Sequence, residues 1–414
     1  MTQRASLSMP RPPFACFVDA EGEGRGWGFD ALWREAVAEI RGDGRGLFLN
    51  AAVRRRFSGN PLDHLEEALR EGERALDGGT GRWAVLLGYD LRRAVERFPT
   101  PARDDLGLPW LHAFLFRRSG PVEAGRWAGR LSRGPETPGR WRSSLGAGRF
   151  QAAVKTILEA EFAGDVYQVN LTRRLSRPCR GDTLRLWRDL VARARPAFGA
   201  YLHAGPYRVL CLSPERFLKR EGDSVVTEPI KGTILRGRRP AEDQGRAASL
   251  LTGEKEAAEL AMIVDVSRND LGRVALPGSV WADPQKALLT LPYVHHLYGR
   301  VGARLRPGVT LTDLIRAAFP GASVTGAPKI RAMEIADSLE GVTRGPYCGA
   351  LGWMEPGGGR MDLCLTIRTA WAAGGILRAG VGGGIVVDSN PRDEWRETVH
   401  KARYLVDGLP RAGG

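Results

Sequence analysis

Between Tyr167 and Thr172 the side chains alternate: Tyr167, Val169 and Leu171 fall on one side, Gln168, Asn170 and Thr172 on the other. A period of two specifies a strand with two unlike faces. The apolar face requires a core beneath it. The other gathers two amides and a hydroxyl, which suits a solvent-facing side as well as the wall of a polar cavity. Further strands are predicted at Arg208 to Leu212, Ser224 to Thr227, Tyr347 to Met354, Met361 to Trp371 and Ile376 to Val387. Helical spacing marks Phe150 to Phe162, with Gly164 as its stop, and Ala241 to Val266, Thr312 to Ala318, Pro328 to Leu339 and Asp393 to Val406. Strands and helices do not alternate as a βαβ series, so the predicted fold class is α+β.

Residues 1–117 mix apolar runs (Leu47 to Ala52, Trp83 to Tyr89, Trp110 to Phe116) with a charged helical stretch, Leu62 to Leu76, and read as an α+β region. Residues 118–148 are rich in Gly, Pro, Ser and Arg without apolar periodicity and read as a linker. A second domain is predicted over residues 149–409. With 414 residues, two domains are within the ordinary range.

Lys plus Arg number 61 against 47 Asp plus Glu, a net charge of +14 that admits a nucleic acid, an anionic membrane surface or an acidic substrate as partner. The basic residues are scattered. The densest cluster, Arg54-Arg55-Arg56, is too small for a nucleic-acid stripe, so neither nucleic acid nor membrane is expected as a partner. No window approaches the roughly 18 apolar residues of a membrane span, and the start Met1-Thr2-Gln3-Arg4 lacks a signal-peptide core, which predicts a cytoplasmic protein. Five cysteines without C-x-x-C spacing and six histidines without H-E-x-x-H argue against zinc and against a disulfide framework.

Only seven of the basic residues are lysines: 155, 219, 231, 255, 286, 329 and 401. Where Arg supplies generic charge, a lysine marks a place where the ability to lose a proton can matter. Lys231 lies in Glu228-Pro-Ile-Lys-Gly-Thr233 between the rigid Pro229 and the permissive Gly232, although an ordinary turn lysine is the better explanation of that segment taken alone. Glu256 and Glu259, and again Glu394 and Glu397, are spaced three apart on predicted helices, so each pair shares a side. Facing one another they would offer hard oxygens suited to Mg²⁺; separately they are solvated helix faces. Gly380-Val-Gly-Gly-Gly-Ile385 matches no nucleotide motif and is either a glycine-rich bend or backbone amides for a carboxylate. Thr325-Gly-Ala-Pro-Lys329 opens a helix with Pro328 expected at its first position, and Arg368 offers a bidentate grip on a carboxylate.

Taken in order, Val166 to Thr172, Ser213-Pro-Glu-Arg-Phe217, Glu228 to Thr233, Ile263 to Val274, Val294-His-His-Leu297, Phe319 to Lys329 and Asp388-Ser-Asn-Pro391 with Glu394 and Glu397 resemble the chorismate-binding enzymes. The resemblance runs from about Phe150 to Leu405, with Gly88-Tyr-Asp90 as an anchor in a shortened N-terminal region. It implies the anthranilate synthase component I-like fold, two large, mostly antiparallel sheets forming a sandwich with helices outside. Family members that activate water carry a lysine where this chain has Gln168, and anthranilate-forming members typically have alanine at the position of Lys231. The resemblance therefore points to the branch that aminates chorismate to 4-amino-4-deoxychorismate, a precursor of 4-aminobenzoate and folate.

By the same resemblance Lys231 is the nucleophile, Glu215 the general acid and His296 a further catalytic position. Tyr347, Arg368 and the Gly382, Gly383 and Gly384 amides hold the enolpyruvyl carboxylate, with Gly232, Thr233, Gln168 and Lys329 also lining the substrate site. Mg²⁺ is the implied cofactor, held by Glu259 and Glu397 with Glu256 and Glu394 acting through water. Nothing in the chain resembles a glutaminase, so ammonia is expected from a separate glutamine amidotransferase subunit. The Leu-Leu-Glu-Ser-like segment that holds tryptophan in some relatives has only Phe17-Val-Asp-Ala20 as its counterpart. Two alternatives stay open: an anthranilate-forming member, and an inactive scaffold or basic nucleic-acid-binding protein.

Overall fold

The computed structural model describes residues 60–406 apart from 75, 77–80, 100, 117–118, 124–139, 284–285 and 292–293; the strands before residue 60 and at 119–123 are described by their backbone alone. Arg54 to Arg56 as a charged cluster, the Phe17–Ala20 segment and most of the expected linker therefore lie outside the described side chains. Two large antiparallel sheets dominate, of ten and eleven strands, with a third of three strands. No described helix is long and apolar enough to cross a membrane.

The ten-stranded sheet runs, side by side, through Gly326–Ala327, Gln168–Pro178, Ile376–Ile385, Thr369–Ala373, Tyr207–Ser213, Phe198–His203, Phe14–Asp19, Arg25–Phe29 and Ser119–Glu123, with Arg142–Ser143 paired off this path. Alternation along Tyr207–Ser213 shows how it is covered on both sides. Val209 and Cys211 point into the core shared with the eleven-stranded sheet, where the Cys211 and Cys364 sulfurs lie 3.8 Å apart. Leu210 and Leu212 point the other way, under Leu186, Trp187 and Leu190 of the amphipathic helix Thr183–Ala194. A sheet buried on both faces reads as a continuous apolar run, as this strand does. Helices Ala147–Phe162 and Lys329–Glu340 cover another part of the outer face through Phe150, Val154, Ile157 and Ala332, packed on Val169 and Leu171.

The strands before residue 117 do not form a sheet of their own. Phe14–Asp19 pairs with Phe198–His203, and Arg82–Leu87 pairs with Ala350–Met354. Ser119–Glu123, placed in the linker by composition, pairs with Arg25–Phe29. The division at residues 117 and 149 is thus not a division of the sheets. Several element boundaries also differ from expectation, among them the strands that begin at Ala350 rather than Tyr347 and end at Ile385 rather than Val387. The predicted helix Ala241 to Val266 is two helices, Pro240–Thr252 and Glu254–Gly272, separated at Gly253. The predicted strand Met361 to Trp371 is two, Arg360–Leu365 and Thr369–Ala373, because Arg368 takes a left-handed backbone (φ 48°) that no strand tolerates. Pro328 stands at the helix N-cap, with Lys329 as the first helical residue.

Candidate active site

The small sheet Ile230–Leu235, Val294–Tyr298 and Ala287–Thr290 carries the nucleophile candidate. Register slips between Lys231 and Thr233, where Gly232 sits at φ 69°. Such a bulge re-aims the neighbouring side chain. Lys231 is turned toward the large sheet, where its Nζ donates to Gln168 Oε1 at 3.0 Å and stands 3.8 Å from Glu259 Oε2. Its side chain is 10% exposed. Burial lowers its pKa, and although Glu259 opposes this, nearby Lys401 adds to the lowering. Gly384 makes room for it: a Cβ there would lie 2.8 Å from Lys231 Nζ and 3.0 Å from the Gln168 amide carbon. The face predicted to hold Gln168, Asn170 and Thr172 together is buried; Asn170 Nδ2 donates to Val324 O, and Gln168 Nε2 is left without a partner.

Glu215 sits between Tyr207–Ser213 of one large sheet and Arg216–Glu221 of the other, at the crossing of the sandwich. It is buried, accepts a 2.5 Å bond from Ser323 Oγ on one carboxylate oxygen, and has its pKa pushed up to about 7 by burial against the opposing pull of Ser323 and Lys231. A carboxyl in that range is a competent proton donor near neutrality.

His296 lies across from Thr233, its Nδ1 2.9 Å from Thr233 Oγ1 and 3.3 Å from the Gly232 carbonyl. A carbonyl only accepts, so Nδ1 carries the proton. Nε2 is then a buried acceptor without a partner. Burial and the Arg368 charge push the pKa of His296 down to about 3, so the ring is neutral. Arg368 is partly buried near Tyr347 and Tyr404, and desolvation lowers its pKa. Its left-handed backbone is the kind of stored strain that clusters at functional sites.

Both glutamate pairs lie near Lys231, but lysines are interleaved with them. Glu394 and Glu397 flank Gly383 with Lys401, whose Nζ is 2.6 Å from Glu397 Oε1 and donates to Gly382 O at 3.1 Å. Burial would raise Glu397, yet Lys401 holds it below the usual carboxylate range, while burial raises Glu394 despite the bond from Ser389. Glu256 packs its stem on Gly232 and folds back over Gly253. Among the described residues no group of three or more His, Cys, Asp or Glu side chains is gathered as a metal centre. Mg²⁺ needs no such group, since it keeps several waters and takes one or two carboxylates, and Glu259 and Glu397 from the two helices both act on Lys231.

Lys329 is held by protein acceptors. Its ammonium donates to Asp270 Oδ2 (2.5 Å), Ala318 O (3.3 Å) and Pro320 O (3.0 Å), three acceptors for three protons. It ties two helices to the loop that carries Ser323. Lys401 was not singled out from the sequence, although two signals point to it. It is one of seven lysines, and it lies four residues beyond Glu397 on a helix.

Residues 23–407 match the sequence profile of the chorismate binding enzymes. Aminodeoxychorismate synthase component 1 of Salmonella typhimurium is 38% identical over 344 residues, covering 78% of this chain and 76% of that protein. Anthranilate synthase component 1 of Thermus thermophilus is also 38% identical, over 354 residues, with 78% and 76% covered. Among solved structures, anthranilate synthase component I from Streptococcus pneumoniae superposes with a TM-score of 0.76 at 26% identity, over 98% of this chain and 95% of that one. Profile, relatives and architecture agree with the motif order: the chain belongs to the chorismate-binding enzymes.

Proposed function

We propose that this chain converts chorismate and ammonia to 4-amino-4-deoxychorismate, the product that the names of its aminodeoxychorismate synthase relatives carry. The observation that carries this reading is Lys231: a buried amine with a lowered pKa, bonded to Gln168 and within reach of the field of a Glu215 poised near neutrality. Neutral Lys231 attacks C2 of the cyclohexadiene, the ring double bonds shift, and the C4–O bond breaks as Glu215 gives its proton to the departing hydroxyl, which leaves as water. Ammonia then forms the bond at C4, the double bonds return, and the C2–N bond breaks to release the lysine amine. Arg368 and Tyr347 orient the enolpyruvyl carboxylate, and His296, neutral and with Nε2 free, accepts a hydrogen bond at the ring side.

Glu259 and Glu397 would hold Mg²⁺, with Glu256 and Glu394 through water. When bound it supplies a Lewis acid that offsets the charge of the ring carboxylate. The partner is a subunit that releases ammonia from glutamine, in keeping with the designation "component 1" in the relatives' names. The protein acts in the cytoplasm.

Incubation with chorismate, Mg²⁺ and ammonium, followed by an aminodeoxychorismate lyase, should give 4-aminobenzoate. Fluorescent anthranilate and pyruvate would instead assign the anthranilate-forming activity of the other relatives, and unchanged chorismate would leave a scaffold. Lys231→Ala should lower kcat on the order of a hundredfold, the scale of losing one group that acts on the reacting atoms. Intact-protein mass spectrometry of quenched wild-type enzyme should show a chorismate-derived adduct that this variant lacks.

A further inference from the structure

Outside the site around Lys231 the chain has a cavity of about 360 Å³. It opens between the end of helix Glu254–Gly272, the turn at 306–309 and the end of helix Leu311–Ala318. Arg273 caps the same helix whose other end carries Glu259, and at 1.5 Å per residue the two stand about 21 Å apart. The cavity is therefore not an extension of the chorismate site.

Three arginines, the exposed Arg273 and Arg306 and the partly buried Arg316, are among its lining residues, with Asp313 as the one acidic residue. One oxygen of Asp313 is engaged by the Thr310 amide and hydroxyl in a capping box that starts the helix. Arg316 pairs with Asp63. Arg306 gives one bond to Arg273 O at 2.7 Å, and Arg273 gives a long one to Ala317 O at 3.4 Å. Each guanidinium has five N–H donors in a planar fork, so Arg273 and Arg306 keep most of theirs for an occupant. Forks of this kind match the oxygens of a phosphate two at a time. Val274, Val309 and Ala317 add apolar wall. A cavity of this size reaches the lower range of small-metabolite sites, roughly 300 Å³ and above, and exceeds what a bare tetrahedral anion fills.

We propose that this cavity binds the phosphate group of a small phosphomonoester, with Arg273 and Arg306 as its principal ligands and the apolar wall against the organic part. The proposal does not depend on the chemistry at Lys231.

The test is titration calorimetry of the full chain with inorganic phosphate, glycerol 3-phosphate and citrate. Expected are one site per chain, tighter binding of glycerol 3-phosphate than of phosphate, and a loss of about tenfold in affinity for each of Arg306→Ala and Arg273→Gln. Arg368→Ala, altered in the chorismate site, should bind as the wild type does. Melting curves check that the variants fold, and Arg306→Ala decides alone should Arg273→Gln not fold. Absence of binding by both phosphates, or undiminished binding by Arg306→Ala, overturns the site. Tighter binding of citrate than of either phosphate overturns the ligand class. Equal affinity for the two phosphates assigns the cavity to free phosphate and overturns its organic half.

Discussion

Two ionisable groups at the centre of the molecule are displaced toward one another on the pH scale. Burial pushes Glu215 up to about 7 and pushes Lys231 down from its ordinary value, so a protonated carboxyl and a free amine can coexist. The proposed reaction requires that combination. The sign of the pH dependence follows: rising pH frees the Lys231 amine and, through about 7, takes the proton from Glu215, so kcat/KM for chorismate, which reports the free enzyme, should be bell-shaped. Glu215→Gln cannot ionise. It should lose the alkaline limb and about 10²–10⁴ in kcat, and an unchanged alkaline limb in that variant would remove Glu215 from the role of acid.

At the scale of elements, the strand Ile376–Ile385 shows why a glycine run belongs in this sheet. Gly384 lies opposite Asn170 in the ladder, and its missing side chain is the space that the Lys231 amine occupies. Its backbone has no left-handed angle, so Gly384→Ala is compatible with the chain path and acts through the added methyl alone. The methyl should displace Lys231 from Gln168 and cost about a hundredfold in kcat, the effect of moving a reacting group by roughly 1 Å. Stability should fall by only about 1–3 kcal/mol, as for other small overpacking changes, and a denaturant melt beside the kinetics separates the two effects. Gln168 stood out through the alternation of its strand and Lys231 through its Pro-and-Gly-flanked segment, and the structure bonds the two; Glu215 came only from the resemblance. The glycine run remained ambiguous between bend and anion cradle because its meaning lies in a neighbouring sheet. The bond from Lys329 to Asp270, 59 residues away, was hidden for the same reason. Periodicity ran through Gly253 and through Arg368 because neither break disturbs the apolar pattern that defines a helix or a strand; only the backbone angles reveal them.

For the whole molecule, composition suggested two domains, whereas hydrogen bonding makes the parts continuous. The Gly88-Tyr-Asp90 segment is where the N-terminal part is fastened to the catalytic part by charge as well as by strands. Asp90 Oδ2 accepts from the Gly345 amide at 2.9 Å, and the Arg344 guanidinium, held bidentately by Glu340, lies 4.3 Å from the Tyr89 ring centroid. Arg92, 1% exposed, reaches across to pair with Asp337, 5% exposed, on helix Lys329–Glu340. Burying two charges is costly in itself, so the pair need not stabilise the fold relative to an apolar one, but removing a single partner strands the other in a low dielectric. Asp337→Ala should therefore destabilise by about 3 kcal/mol, the lower end for a broken buried pair, because Asp90 still lies near Arg92 and the Tyr89 and Phe98 rings still face it. Since strands from both sides of residue 117 share both sheets, that loss should shift one cooperative transition in calorimetry rather than release the N-terminal part alone. A separate low-temperature transition in Asp337→Ala, with the remainder melting as in the wild type, would show that the two parts fold independently despite their common sheets.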